Sequence, residues 1–367
     1  MGRYLIVTWD GAGNLVPTLG IAQRLAERGH DVRLLGHRSI PGRGAHGGWR
    51  FVPFRHTADF HTGDPIDVAA EVSILRDNLF FSGAVAEDVA AELDGDTADV
   101  VVADCMLMGA LSAGQAAGIP TVGLFHTPVA PFRSGPIVDM MAPAATALGA
   151  MRRERGLPAV DGMAGVHDAC ALSLVCLPRE FEPEMPLPSN VVYVGPILDG
   201  PPLSPHVDRL EISDGPEPLV VISLSTSYQN QAPLLQKLVD ACAELPVRVV
   251  VTTGPAVDPE SIAAPANTRV VRFVPHGDLV PHASLVITHA GLGTVMTALS
   301  HGIPLLCVPM GRDQFFNAER VSQLGAGRIV GFDADAGMIR NAVRDVLDDA
   351  RWRDGAKGVA NVIAGYA

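Results

Sequence analysis

Lysine is nearly absent from this chain: among 27 basic residues only Lys237 and Lys357 are lysines, set against 40 acidic residues. The formal charge of -13 argues against nucleic acid or an anionic membrane as partner, because both reward clustered positive charge. A nucleotide remains bindable, since backbone N–H groups at a helix start supply a local positive field. Paired cysteine is lacking too. Cys105, Cys170, Cys176, Cys242 and Cys307 are odd in number and scattered in apolar runs, with no Cys-x-x-Cys spacing. That speaks against a disulfide framework and reads as buried thiols in a reducing compartment. There is no His/Cys spacing typical of a metal centre. No uninterrupted apolar run reaches the ~18 residues of a membrane span. Met1-Gly2-Arg3 leads straight into a strand-like segment without a signal-peptide layout. Together these features lead to the expectation of a soluble cytoplasmic protein.

Apolar material, by contrast, is plentiful. Hydrophobic residues make up 48% of the 367 and charged residues 18%, enough for two domains of roughly 150 residues each. Short β-branched runs alternate with helical segments, which predicts βαβ units around parallel sheets. In the first half, strands are expected at residues 4–8, 31–35, 99–103, 121–125, 169–177 and 191–195. Helices are expected at 17–27 and 108–117. Residues 195–218 are rich in Gly, Pro, Asp and Ser and read as a linker. The alternation then resumes, with strands at 219–224, 247–252, 268–274, 285–288 and 305–308. Helices are expected at 233–244, 293–300 and 316–324, and the stretch 337–364 reads as mostly helical with Gly355 as an interruption. The expected layout is an N-terminal domain 1–198, a linker 199–217 and a C-terminal domain 218–367. The last helix is free to return to the N-terminal domain. Ligands of two such doubly wound halves are expected at the carboxyl ends of the strands, in a cleft between them.

The most informative segment is Leu285-Val286-Ile287-Thr288-His289-Ala290-Gly291-Leu292-Gly293-Thr294. A strand gives way to a Gly-rich turn and a helix start, an arrangement whose free N–H groups suit a diphosphate. An ordinary strand-to-helix turn is the alternative. The spacing matches neither a P-loop nor the dinucleotide fingerprint. Ser225-Thr226-Ser227 follows another strand and offers hydroxyls for phosphate, or a helix cap. Asp313-Gln314 pairs a carboxylate with an amide, suited to vicinal sugar hydroxyls or, again, to capping.

These positions, with Phe273-Val274-Pro275-His276, Gly302-Ile303-Pro304, Pro309, Asn317-Ala318 and Gly325-Ala326-Gly327, resemble the donor-binding signature of family 1 glycosyltransferases. The branch that decorates bacterial natural products, including antibiotics, is the most similar. The resemblance implies a GT-B fold: two Rossmann-like α/β domains facing across a cleft. It implies that Val274 meets the nucleotide base. The diphosphate would be held by His289, Ala290, Gly291, Leu292, Gly293 and Thr294 with Ser225 and Thr226, and the donor sugar by Asp313 and Gln314. No cofactor or metal is implied, because helix-terminal N–H groups and His289 stabilise the leaving nucleoside diphosphate.

In this family a Gly-His-x-x-Pro follows the first strand, and its histidine deprotonates the acceptor. Here the stretch is Gly13-Asn14-Leu15-Val16-Pro17, and an asparagine amide orients a hydroxyl but takes no proton. Either another residue is the base, the acceptor needs no strong base, or the protein is not catalytic; Asp104, after the strand 99–103, is the preferred substitute, with burial expected to raise its pKa. Asp10 is a second candidate and His126 a third; capping or structural roles are the alternatives. His56 and His61 sit in a loop too poorly defined to assign. Apolar residues near these positions, Phe80, Phe81, Met106, Met108 and Phe132, with His126, are expected to meet a lipophilic acceptor, core packing being the alternative. The expected activity is metal-independent, inverting transfer of a hexose from a dTDP- or UDP-sugar to such an acceptor, with a homodimer as an admissible assembly. A catalytically silent sugar-nucleotide-binding helper and a sugar-nucleotide epimerase of the same fold are the rivals.

Overall fold

The computed structural model describes residues 1–43, 47–59, 68–200, 207–208 and 215–366. His61 and most of the expected linker lie outside these. The described residues form two compact units, one of those up to Gly200 and one of those from Val207.

The first unit holds a seven-stranded sheet. Its strands are β1 (Arg3–Val7), β2 (Asp31–Gly36), β3 (Arg50–Pro53), β4 (Val100–Asp104), β5 (Thr121–Phe125), β6 (Leu172–Val175) and β7 (Val191–Tyr193), in the order β3-β2-β1-β4-β5-β6-β7. The second holds β8 (Leu219–Ser223), β9 (Arg248–Thr252), β10 (Thr268–Val271), β11 (Leu285–Thr288), β12 (Leu305–Cys307) and β13 (Gly327–Ile329), in the order β10-β9-β8-β11-β12-β13. The pairings described are parallel. Helices cover both faces, so central strands such as Leu219–Ser223 are buried throughout. In each unit the strand order reverses next to the first strand, between β1 and β4 and between β8 and β11. Ligands of such sheets bind beyond the strands' carboxyl ends at that point, and both candidate sites occupy that place.

Two local expectations change. The run 169–177 is a strand only at Leu172–Val175, because a short helix, Gly162–Asp168, precedes it. The break in the last helical segment falls at Asp349, whose carboxylate caps Arg351 N–H at 3.0 Å and starts the helix Ala350–Ala364. Gly355 lies inside that helix. It is there because a Cβ at this position would stand 2.1 Å from the carbonyl oxygen of Gly325. The same helix packs on Leu292–Ser300 within the second unit, Lys357 lying over Gly302. No helix among the described residues is long and apolar enough to cross a membrane.

Candidate functional site

In the second unit the pairing Ser223↔Thr288 brings the ends of β8 and β11 side by side. Beyond β11, Ala290 adopts φ +65°, a left-handed turn that redirects the chain into the helix Leu292–Ser300. Gly291 is its N-cap, extended at φ -62°, ψ 132°, and makes no side-chain cap bond. The N–H groups of Leu292, Gly293 and Thr294 therefore have no intrahelical partner and carry the positive end of the helix dipole. The His289 ring folds over Gly291 so closely that a Cβ there would lie 2.6 Å from Nε2. Burial, reinforced by Arg312 and then His276, lowers the His289 pKa to about 3. His289 is neutral at physiological pH and offers a hydrogen bond, not a charge. His276 is likewise lowered to about 4 by burial, and contacts Ser223 Oγ at 3.0 Å and Thr294 Oγ1 at 3.5 Å.

Around this turn lies a network of amides and hydroxyls. Ser225 Oγ accepts from Gln229 Nε2 at 2.7 Å and meets Ser227 Oγ at 3.0 Å. Gln314 Nε2 donates to Gln229 Oε1 at 3.1 Å, while Gln314 Oε1 accepts the N–H groups of Met310 and Gly311. Gln314 is thus buried with its amide engaged by the protein. Asp313 is more open and accepts from Asn317 Nδ2 at 3.1 Å. Arg312, with φ +54°, donates to Ser227 Oγ at 2.9 Å. Thr226 is exposed and Val274 buried. The backbone just before Val274 is clamped by Asp208, whose Oδ2 accepts the N–H groups of Arg272 and Phe273, each at 2.8 Å.

In the first unit the register Val7↔Ala103 sets the residue after β1 beside Asp104. Asn14 Nδ2 donates to Thr8 Oγ1 (3.1 Å), the Trp9 carbonyl (3.0 Å) and Asp104 Oδ2 (2.8 Å). Three acceptors around one atom fix the amide's orientation. Its Oδ1 is buried without a hydrogen-bond partner. Asp104 Oδ1 accepts Met106 N–H at 2.9 Å, and His126 Nε2 stands 3.3 Å from Oδ1 and 3.2 Å from Oδ2. The expected rise in the Asp104 pKa is reversed. Burial pushes it up, but His126, the Met106 N–H and Asn14 together outweigh burial and lower it. Asp104 is a fixed carboxylate. Burial pulls the His126 pKa down, yet Asp104, aided by Cys105, raises it well above its ordinary 6.5. Asp104, Cys105 and His126 bring ligand-type atoms within 4.8 Å of one another. Two of the three face each other directly, and burial pushes the Cys105 thiol pKa up.

Asp10 faces elsewhere: its carboxylate accepts from Ser39 Oγ at 2.6 Å and its N–H donates to His37 Nδ1, both just beyond β2. Among the expected acceptor contacts, Phe80, Phe81, Met108 and Phe132 are buried. Phe80 packs edge-on against Trp9, and Phe132 against Phe125 and His167. Met106 and His126 keep part of their surface open. His56 bonds Asp88 at 2.9 Å, in a carboxylate-capped loop. Sequence reasoning passed over Gln229, Arg312 and Asp208, whose contacts depend on chain folding back across tens of residues. Only the cation at Arg312, next to Asp313-Gln314, was visible as a signal.

Residues 236–365 match the family described as "Erythromycin biosynthesis protein CIII-like, C-terminal domain". The chain is 30% identical over 397 aligned residues to 4'-demethylrebeccamycin synthase of Lentzea aerocolonigenes, covering 96% of this chain and 93% of that protein. Among solved structures it is similar to the glycotransferase of kitacinnamycin, with a TM-score of 0.82 at 24% identity over 100% of this chain and 95% of the other. It is also similar to the spinosyn rhamnosyltransferase complexed with thymidine diphosphate, with a TM-score of 0.78 at 21% identity over 99% and 96%. With its two parallel-sheet units and its whole-length relative, this chain belongs to the family 1 glycosyltransferases of GT-B fold, among those of natural-product biosynthesis.

Proposed function

We propose that the chain transfers a hexose from a dTDP- or UDP-sugar to a lipophilic small molecule, inverting the anomeric carbon and using no metal. The observation that carries this reading is the uncapped helix start at Leu292, beside neutral His289 and the cation Arg312. Diphosphate oxygens are matched by the N–H groups of Leu292, Gly293 and Thr294 together with the guanidinium, donors that also take up the charge released when the glycosidic bond breaks. That supply of donors supports metal independence. The spinosyn rhamnosyltransferase is complexed with thymidine diphosphate, which supports dTDP as the first nucleotide to try. Asp208 fixes the backbone before Val274, so the base has a rigid ledge to lie on. Open Asp313 is the sugar contact, with Gln314 behind it as the member that holds the turn. The acceptor belongs to the first unit, near Met106 and His126.

The helper-protein reading is favoured by Asn14, which cannot accept a proton. One assay separates the alternatives: the full chain with dTDP-glucose or UDP-glucose, EDTA, and a panel of aromatic polyketide and indole acceptors, followed by mass spectrometry. The expected result is an acceptor heavier by one glycosyl unit and an equal amount of free nucleoside diphosphate. Donor bound but unconsumed would establish a helper, and donor sugar altered without acceptor an epimerase.

A further inference from the structure

Transfer to a hydroxyl needs somewhere for its proton to go, and the side chain after β1 is an amide. The ends of β4 and β5 offer another acceptor. The register Asp104↔Leu124 and the bond from Cys105 N–H to the Leu124 carbonyl (3.0 Å) hold the two strand ends together, so His126 falls against Asp104. Its Nε2 meets both carboxylate oxygens. The carboxylate is itself oriented by Met106 N–H and Asn14 Nδ2. The Asp104 side chain is fully buried, whereas that of His126 keeps 16% of its surface. The imidazole thus stands in front of the carboxylate, where a substrate can reach it.

Resting on the sugar transfer proposed above, we infer that His126, held by Asp104, is the general base of the reaction, in the office of the histidine whose place Asn14 fills. Nε2–H donates to Asp104, and Nδ1 receives the proton of the acceptor hydroxyl. The acceptor oxygen forms its bond to the anomeric carbon as the bond from that carbon to the diphosphate oxygen breaks. The electron pair of the broken bond leaves with the nucleoside diphosphate. Asp104 stays ionised throughout and stabilises the imidazolium that forms, as a carboxylate does behind a catalytic histidine. Asn14, with Nδ2 on Asp104, is a positioning residue.

The groups facing His126 are Asp104 and Cys105 at the end of β4. Cys105 is a neutral thiol, and His167, which bonds the Cys105 carbonyl at 2.8 Å, is neutral with a pKa of about 4. Asp104 therefore dominates, and its carboxylate holds the His126 pKa above the ordinary histidine value. Transfer rises with pH through a pKa well above 6.5.

The test uses dTDP-glucose and UDP-glucose with acceptors of falling acidity: 4-nitrophenol, 2-naphthol and benzyl alcohol. His126→Gln is expected to lower kcat for benzyl alcohol by about 10²–10⁴-fold, the usual worth of a general base. The loss should be much smaller for 4-nitrophenol, which is already ionised near neutrality, while dTDP affinity stays as in the parent. Asp104→Asn should move the pH profile toward lower pH. Equal loss across the three acceptors, a loss under threefold, or an unmoved profile would overturn the base assignment while leaving sugar transfer standing. A parent protein that glycosylates none of the three would instead overturn the transfer reading.

Discussion

Arg312 combines two features that rarely coincide without a reason. A non-glycine residue in the left-handed region costs roughly 1 kcal/mol, yet the guanidinium is held toward Ser227 and bears on His289. Replacement by glycine removes the strain together with the charge. Arg312→Gly is expected to be at least as stable as the parent by urea denaturation, and to bind dTDP about tenfold more weakly, as loss of a charged hydrogen bond implies. Unchanged affinity would remove Arg312 from the donor site. His289, by contrast, acts as a neutral group. With a pKa of about 3, it does not titrate in the neutral or alkaline range. His289→Ala should therefore weaken dTDP by a similar factor at pH 7 and pH 9, which calorimetry at the two values checks.

The Asp104–His126 pair also shapes stability against pH. The folded-state pKa of His126 is raised above 6.5, so its contribution is full below that value and lost as pH rises through the raised one. The Asp104 pKa is lowered from 3.8, so its contribution is full above 3.8 and lost as pH falls through the lowered value. Between about pH 4 and 6.5 the pair stabilises most. His126→Gln should flatten the alkaline fall in melting temperature. Stability and transfer then run in opposite directions above neutrality in the parent protein.

At the scale of elements, periodicity located most strands and helices of the alternating core, because parallel strands buried on both faces read as continuous apolar runs. It did not announce Arg50–Pro53 or Gly83–Gly95, whose short or Ala-rich segments carry a weak pattern. Gly355 shows why composition alone misplaces a boundary: glycine usually marks a helix end, and here it answers a close approach to Gly325. Helix propensity favours alanine at an interior position by about 1 kcal/mol, but packing opposes it. Gly355→Ala should destabilise the second unit by roughly 1–3 kcal/mol, the usual cost of overpacking, as read by urea denaturation. A stabilised variant would show that the contact is slack.

At the scale of the whole molecule, the donor half was the more legible. The turn His289–Thr294 with its glycines is one contiguous run and Asp313-Gln314 an adjacent pair, so each reads locally. The group around Asp104 was less so. Asn14, Asp104 and His126 are each ordinary in isolation, and only the strand order β1-β4-β5 brings them together. Gln314 carried an ambiguity that sequence could not remove, since an amide suited to a sugar is equally suited to holding Met310 and Gly311.

The proposed donor binding rests on backbone N–H groups at the start of Leu292–Ser300 holding a nucleoside diphosphate, and Leu292→Pro isolates one of them. Proline is tolerated at the first helical position, and Gly291 already has the extended conformation a following proline requires. The variant keeps the helix and deletes one donor. In a calorimetric titration of dTDP in EDTA, the parent is expected to show saturable one-to-one binding. Leu292→Pro should bind about tenfold more weakly at an unchanged melting temperature, the effect of one lost hydrogen bond to a charged group. Equal affinity in the two proteins, or no binding by the parent to dTDP or UDP, would contradict a diphosphate site at this helix start.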